Sequence, residues 1–231
     1  VGLAERWRKV RLAEIGRRRF FSLTPGYYAL YREFERRAGT YLGGLILDAG
    51  AGAGAWAPVL GDYGRVVAAD LCPPGSPGVT ADLKTLPFPD ATFDTVFCSQ
   101  VLEHEREPAS LLAELYRVSK PGATLVLSAP HLSRLHDEPH DYYRYTGYGL
   151  RSLAEGAGYA VEEVAVAGGM LSFLGHTTAV FGLAVFGPVP IIGALARLKL
   201  RVVSPICAAL DRALDPRGIF ALNWMLWGRK P

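Results

Sequence analysis

A chain of 231 residues that is half apolar and one-fifth charged has material for a sizeable core, which excludes a disordered chain. Its net charge of +3 is too small to argue for nucleic acid, and its three cysteines (Cys72, Cys98, Cys207) are odd in number and far apart, with no C-x-x-C pair. That excludes a disulfide scaffold or a Cys-based zinc module and makes a reducing cytoplasm the expected compartment. The charge is uneven: residues 1–40 hold ten basic and four acidic residues, so this stretch is +6 and the remainder −3. A positive end of this kind is either a solvated face or a surface for phosphates or anionic lipid.

In chain order, Leu3 to about Gly16 reads as a charged amphipathic helix, with Leu3, Trp7 and Val10 along one side and no signal-peptide core. Pro25 to Ala38 predicts a second helix, with Tyr27, Tyr31 and Phe34 at helical spacing and Gly39 at its end. The pattern then changes to short apolar runs: Leu45-Ile46-Leu47 ending in Asp48, Val66 to Ala69 ending in Asp70, Phe93 to Ser99, and Thr124 to Leu127 ending at Ser128. Lacking strict alternation, these runs suit strands covered on both faces in a parallel sheet. Pro108 to Val118 is the clearest intervening helix, with Leu111, Leu112, Leu115 and Val118 on one side. Beyond a His- and Tyr-rich loop, Thr146 is a candidate N-cap, Leu150 to Ala157 reads as a short helix, Tyr159 to Val166 as a strand, and Ala221 to Trp227 as the last strand.

The stretch between Glu163 and Arg197 has no Asp, Glu, Lys or Arg. Length alone permits a membrane span, but six glycines together with Pro188 and Pro190 break it, so two apolar helices joined near Gly187–Pro190 are expected. With no internal repeat and no linker, the expectation is one domain over 1–231, with an N-terminal helical extension at 1–39 and an apolar helical insertion at 168–218.

The chemistry begins at Asp48-Ala49-Gly50-Ala51-Gly52-Ala53-Gly54, directly after an apolar strand. Glycines at a strand-to-helix turn let backbone approach a ligand. The spacing is G-x-G-x-G, whereas the dinucleotide fingerprint places its third glycine one residue later. A carboxylate beside the turn repels a pyrophosphate and attracts an amino group, which tilts the reading from NAD toward a cationic, phosphate-free cofactor. Asp70, sixteen residues after Gly54, can accept from both hydroxyls of an adenosine ribose. Asp82, followed by Leu83, is a weaker candidate for an adenine amino group.

With these pieces in place, the sequence resembles the class I S-adenosylmethionine-dependent methyltransferases, in particular the methyltransferase type 11 domain. The matching segments are LILDAGAGAG (45–54), VVAADLCP (66–73), ADLKTLPFPDATFDTVFCSQVLEH (81–104) and LLAELYRVSKPGATLVLSAP (111–130). The resemblance implies a Rossmann-like α/β fold: a seven-stranded, mostly parallel sheet with helices on both faces and an antiparallel last strand. It implies S-adenosyl-L-methionine as cofactor and S-adenosyl-L-homocysteine as product. It also implies site residues. Asp48, with Ala49 and Gly50, would hold the amino-acid part, and Gly52 and Gly54 would shape the turn. Asp70, beside Leu71, would bind the ribose; Asp82 and Leu83 would read the adenine edge; Ser99 and Gln100 would approach the methionine portion. The Asn/Asp-Pro-Pro-Tyr/Phe pattern of DNA-base methylation is replaced by Ser99-Gln100-Val101-Leu102, so no nucleic acid is expected.

Methyl transfer is mostly positioning, and a hydroxyl acceptor also needs a base. The loop His131, His136, Asp137, His140, Asp141, Tyr142, Tyr143, Arg144, Tyr145 follows the fifth strand, where α/β sheets bind ligands. His140 or His131 is the leading base and His104 the alternative; the structural account is an Asp141–Arg144 pair with the tyrosines packing the loop. No metal is expected, because no helical or Cys-assisted zinc pattern fixes these histidines. The expected reaction is methyl transfer to a small or lipophilic acceptor. The rivals are a non-catalytic cofactor-binding or interaction protein and an NAD-dependent oxidoreductase. The 168–218 segment is expected to act as a lid over the acceptor, as a homodimer interface, or as a peripheral membrane contact.

Overall fold

The computed structural model describes residues 2–71 and 78–231; Cys72 and the Pro/Gly loop that follows it lie outside the described residues. The chain forms two compact units: one of residues 1–35 and 166–223, the other of residues 36–165 and 224–231.

The second unit carries the sheet. Its strands are β1 (Leu45–Ala49), β2 (Arg65–Asp70), β3 (Gly78–Thr80), β4 (Phe93–Ser99), β5 (Ser119–Pro130), β6 (Ala160–Ala167) and β7 (Asn223–Arg229). They lie in the order β3-β2-β1-β4-β5-β7-β6. The first five pair in parallel, with Asp48 opposite Ala68 on one side and Phe97 on the other. The end of the sheet is antiparallel: Gly122 N donates to Lys230 O while Lys230 N donates to Ala123 O. The expected seven-stranded mixed sheet is therefore present. The apolar runs became strands because helices cover them. Ile46, Leu47, Val96, Leu125 and Val126 are fully buried, and the α4 (Pro108–Val118) residues Leu111, Leu112, Leu115 and Val118 close the core. Thr146 caps α5 (Gly147–Gly156), accepting from Gly149 N at 3.0 Å. Strand β3 went unread because three residues are too few to show a period. The helix after the glycine turn, α3, is a single turn at Ala57–Leu60.

In the first unit, α1 (Leu3–Leu12) buries Trp7 and Val10, and α2 (Pro25–Tyr41) begins here with Leu30 and Phe34 inside. Tyr27 stacks on Phe20 at 4.8 Å and on Trp7 at 6.3 Å. The uncharged stretch forms two helices as expected: α6 (Met170–Phe186) and α7 (Pro190–Leu214). The buried Asp211 of α7 caps α6, accepting from Gly169 N, Leu171 N and Ser172 N at 2.7–3.0 Å. A carboxylate at a helix N-terminus satisfies orphan N–H groups and complements the dipole. Along α7, Ile191, Leu195, Leu198, Val202 and Ile206 recur every three or four residues and are each more than half exposed. No helix of the described residues is long and apolar enough to cross a membrane.

Candidate functional site

In an open α/β sheet, ligands bind beyond the carboxyl ends of the strands where the strand order reverses. Here the order turns back between β1 and β4. A cavity of about 380 Å³ lies at that point, lined by Gly50 and Gly52 after β1, Asp70 and Leu71 at β2, Asp82, Leu83 and Lys84 beyond β3, and Gln100, Val101, His104 and Glu105 after β4, with Leu111 and Asp137. Seven of the expected cofactor residues therefore share one wall: Gly50, Gly52, Asp70, Leu71, Asp82, Leu83 and Gln100. Asp48, Ala49, Gly54 and Ser99 are not among the lining residues.

The local geometry explains the turn. Gly50 has φ +79°, and its N–H donates to Ala69 O at 2.8 Å, tying the turn to β2. A Cβ at Gly50 would meet Val101 Cγ2 at 2.3 Å, so both the backbone and the space require glycine. Gly52 N donates to Asp70 Oδ2 at 2.8 Å. Asp82 Oδ1 accepts from Lys84 N at 2.9 Å, an Asx turn that fixes the carboxylate beside the cavity. Gln100 takes φ +59°; its N–H donates to Ser128 O and its Nε2 to Ser128 Oγ, while the Ser99 and Ser128 hydroxyls share a hydrogen bond at 2.7 Å.

Asp48 lies behind the turn. It is 2% exposed, and its Oδ2 has no hydrogen-bond partner among the described residues. Burial, and secondarily the charge of Asp70, pushes its carboxyl up to about 7. A buried carboxyl with an orphaned oxygen is stabilised in its charged form by a cation or a hydrogen-bond donor. The lining points the same way. Asp70, Asp82, Glu105 and Asp137 face one lysine, Lys84, whose Nζ is held by both Glu105 oxygens at 3.0 Å. These residues fit a ligand with an ammonium group and hydroxyl or amino donors, and they would repel a pyrophosphate.

The three expected bases separate. His104, at the end of the 3-10 turn Leu102–His104, lines the cavity. His140 is exposed, with its Nδ1 2.9 Å from Tyr142 Oη, and His131 is half-buried; neither lines the cavity. The loop is packed as its structural reading required. Arg144 grips Asp141 with two bonds, at 2.6 and 2.8 Å, and holds its carboxyl below the ordinary range. Tyr145 Oη donates to Leu102 O, Tyr143 Oη to Arg106 O, and Arg106 Nε to Tyr142 Oη. Sequence reasoning gave no site role to Val101, Lys84, Glu105 or Leu111, which line the cavity, or to Glu103; Asp137 lines it from the loop that the sequence placed after the fifth strand. Glu103 is fully buried between His104 and His136, although it stands inside the V-L-E-H segment quoted above.

Residues 47–127 match a family described as "Methyltransferase domain". A malonyl-[acyl-carrier protein] O-methyltransferase of Serratia marcescens is 33% identical over 128 residues, 47% of this chain and 50% of that protein. A ubiquinone/menaquinone biosynthesis C-methyltransferase of a Marinomonas species is 30% identical over 147 residues, 53% of this chain and 58% of that protein. The chain thus spans about half the length of the curated relatives it matches. Among solved structures, an S-adenosylmethionine-dependent methyltransferase from Aquifex aeolicus superposes with a TM-score of 0.56 at 17% identity, over 97% of this chain and 98% of that one. The [4+2]-cyclase SpnF gives 0.61 at 17% identity, over 87% and 80%. At such identity the structural likeness shows the fold alone.

Proposed function

We propose that this chain, which belongs to the class I S-adenosylmethionine-dependent methyltransferases through its domain at residues 47–127, moves a methyl group from that cofactor to a small or lipophilic acceptor. The observation that carries the reading is the buried Asp48 carboxyl, with an orphaned oxygen, behind a cavity lined by acids. Asp48 and Gly50 would take the amino-acid end of the cofactor, with Ala49, Gly52 and Gly54 shaping the turn. Asp70, beside Leu71, would take the ribose hydroxyls, Asp82 and Leu83 the adenine edge, and Ser99 and Gln100 the methionine chain. When bound, S-adenosylmethionine supplies a methyl group activated by a sulfonium; the protein's task is to place the acceptor in line and exclude water. Proton acceptance from a hydroxyl acceptor falls to the cluster around His104, the histidine that reaches the cavity. The relatives are named for O- and for C-methylation, so kinship leaves the acceptor atom open. Calorimetry should show S-adenosylhomocysteine binding and no NAD binding. NAD binding alone would overturn the reading. Cofactor binding with no turnover on any acceptor, including lipids, would favour the non-catalytic alternative.

A second reading concerns the first unit. It holds thirteen Lys and Arg against six Asp and Glu, whereas the other unit holds twelve against sixteen. Its exposed α7 stripe is accompanied by Arg197, Lys199 and Arg201. A groove of about 550 Å³ in the same unit is lined by apolar Val10, Ala13, Val185, Pro188 and Val189 and by cationic Arg6, Lys9 and Arg197. We propose that this unit rests on an anionic bilayer surface, the pairing its charge and apolar stripe favour over a second, equally cationic copy. Such placement suits a lipophilic acceptor.

A further inference from the structure

Glu103, His104 and His136 bring three ligand atoms together, one from each side chain. The backbone decides the tautomers. His104 Nδ1 lies 2.6 Å from His140 O, and His136 Nδ1 lies 3.2 Å from Arg134 O. A carbonyl only accepts, so each Nδ1 carries a proton, and Nε2 is the nitrogen each ring can offer to a metal ion. Both Nε2 atoms face the same oxygen, Glu103 Oε1, at 3.8 and 3.7 Å. Glu103 is fully buried, and neither of its oxygens has a hydrogen-bond partner among the described residues. The three ligand atoms lie within 4.8 Å of one another.

We propose that Glu103, His104 and His136 form a site for a divalent transition-metal ion of the zinc class. Two imidazole nitrogens and one carboxylate oxygen are a donor set that zinc takes, and three protein ligands leave one position open. Bonds of about 2.0–2.1 Å set tetrahedral ligand atoms roughly 3.3 Å apart, so the cluster closes on an ion by a small contraction. The surroundings suit ligation. Backbone carbonyls hold both Nδ1–H groups, and Asp141 Oδ2 lies 3.5 Å from His136 Nδ1, itself clamped by Arg144. A histidine oriented from its far nitrogen by a carbonyl or carboxylate is the usual support for a metal ligand. An ion there would join the loop after β5 to the 3-10 turn after β4, at the edge of the cofactor cavity that His104 lines. In that arrangement His104 holds the metal rather than taking the proton itself. The sequence pattern gave no sign of this set, because His136 is more than thirty residues from Glu103.

The proposal deepens the function given above only in placing the site beside that cavity; metal binding is read independently. The intact chain, freed of metal by chelation, is titrated with Zn²⁺ against a chromophoric chelator and with Co²⁺ in the visible range. One equivalent should bind, and Co²⁺ should show the intense bands of a low-coordinate N/O site. His136→Ala and His104→Ala should each weaken Zn²⁺ about tenfold or more while His136→Ala keeps S-adenosylhomocysteine binding, which reports its folding. Glu103→Gln adds a third test, and the two histidine variants suffice if it fails to fold. Absence of stoichiometric Zn²⁺ and Co²⁺ binding, or equal binding by the wild type and both histidine variants, would overturn the site. Zn²⁺ binding with no S-adenosylhomocysteine binding would leave the site standing and remove the cofactor reading.

Discussion

Asp48 lies buried near the end of its strand, beside the charge of Asp70, and burial first, with Asp70 second, pushes its carboxyl up to about 7. Two acids at the ends of adjacent strands thus form a site that costs energy to ionise until a cation arrives. The raised value means that the ligand-free fold holds this proton more tightly than the unfolded chain. The Asp48 contribution to stability is therefore full below 3.8 and is lost as pH rises through about 7. Cation binding needs the ionised form. S-adenosylhomocysteine affinity should accordingly fall toward tenfold per unit as pH drops below about 7, and Asp48→Asn should flatten the profile. A pH-independent wild-type dissociation constant between pH 5.5 and 8 would remove Asp48 from the ammonium end.

Asp70 also accepts the Gly52 N–H, so it shapes the turn as well as facing the cavity. Asp70→Ala should weaken S-adenosylhomocysteine by about 1–3 kcal/mol, the scale of a lost charged hydrogen-bond partner. Calorimetry with an unchanged affinity would remove Asp70 from the site.

Gly50→Ala places a methyl 2.3 Å from Val101 Cγ2 on a backbone with φ +79°. Urea unfolding should show a loss of about 1–3 kcal/mol, with cofactor binding reduced further. Adding Val101→Ala should restore part of the loss, because it relieves the clash and leaves the backbone strain. Full stability in the single variant would contradict the packing of the turn.

Once an acceptor is in hand, His104→Ala should lower turnover about a hundredfold or more, beyond any change in cofactor affinity. His131→Ala and His140→Ala, whose side chains are not in the cavity wall, should do less. Steady-state kinetics beside calorimetry separate the two effects, and full turnover in His104→Ala would clear this end of the cavity of any proton-accepting role.

The α7 stripe predicts flotation with vesicles rich in anionic lipid, weaker at high salt and absent with zwitterionic vesicles. Leu198→Glu with Val202→Glu, both at exposed positions, should abolish flotation and spare S-adenosylhomocysteine binding. Equal flotation of this variant would remove the stripe from the contact.

The sheet was legible because buried parallel strands are written as apolar runs, and β1, β2 and β4 each carry a polar residue at the carboxyl end, where the crevice opens. The Asp48 turn, Asp70 and Asp82 were legible because each stands at or just beyond the end of a strand, and the parallel pairing of β1, β2 and β3 brings those carboxyl ends to one side of the sheet. The two apolar helices were legible from composition and from the breakers at 187–190. Other features depend on contacts between residues distant in the chain, and only the tertiary structure decided them. It set His104 rather than His131 or His140 into the cavity wall. It put Val101 where a Gly50 side chain would go, and it buried Glu103 between two imidazoles, one of which a long loop returns to it. No local period encodes a loop's return path, since that path follows from the Asp141–Arg144 clamp and from tyrosines packed on the turn after β4.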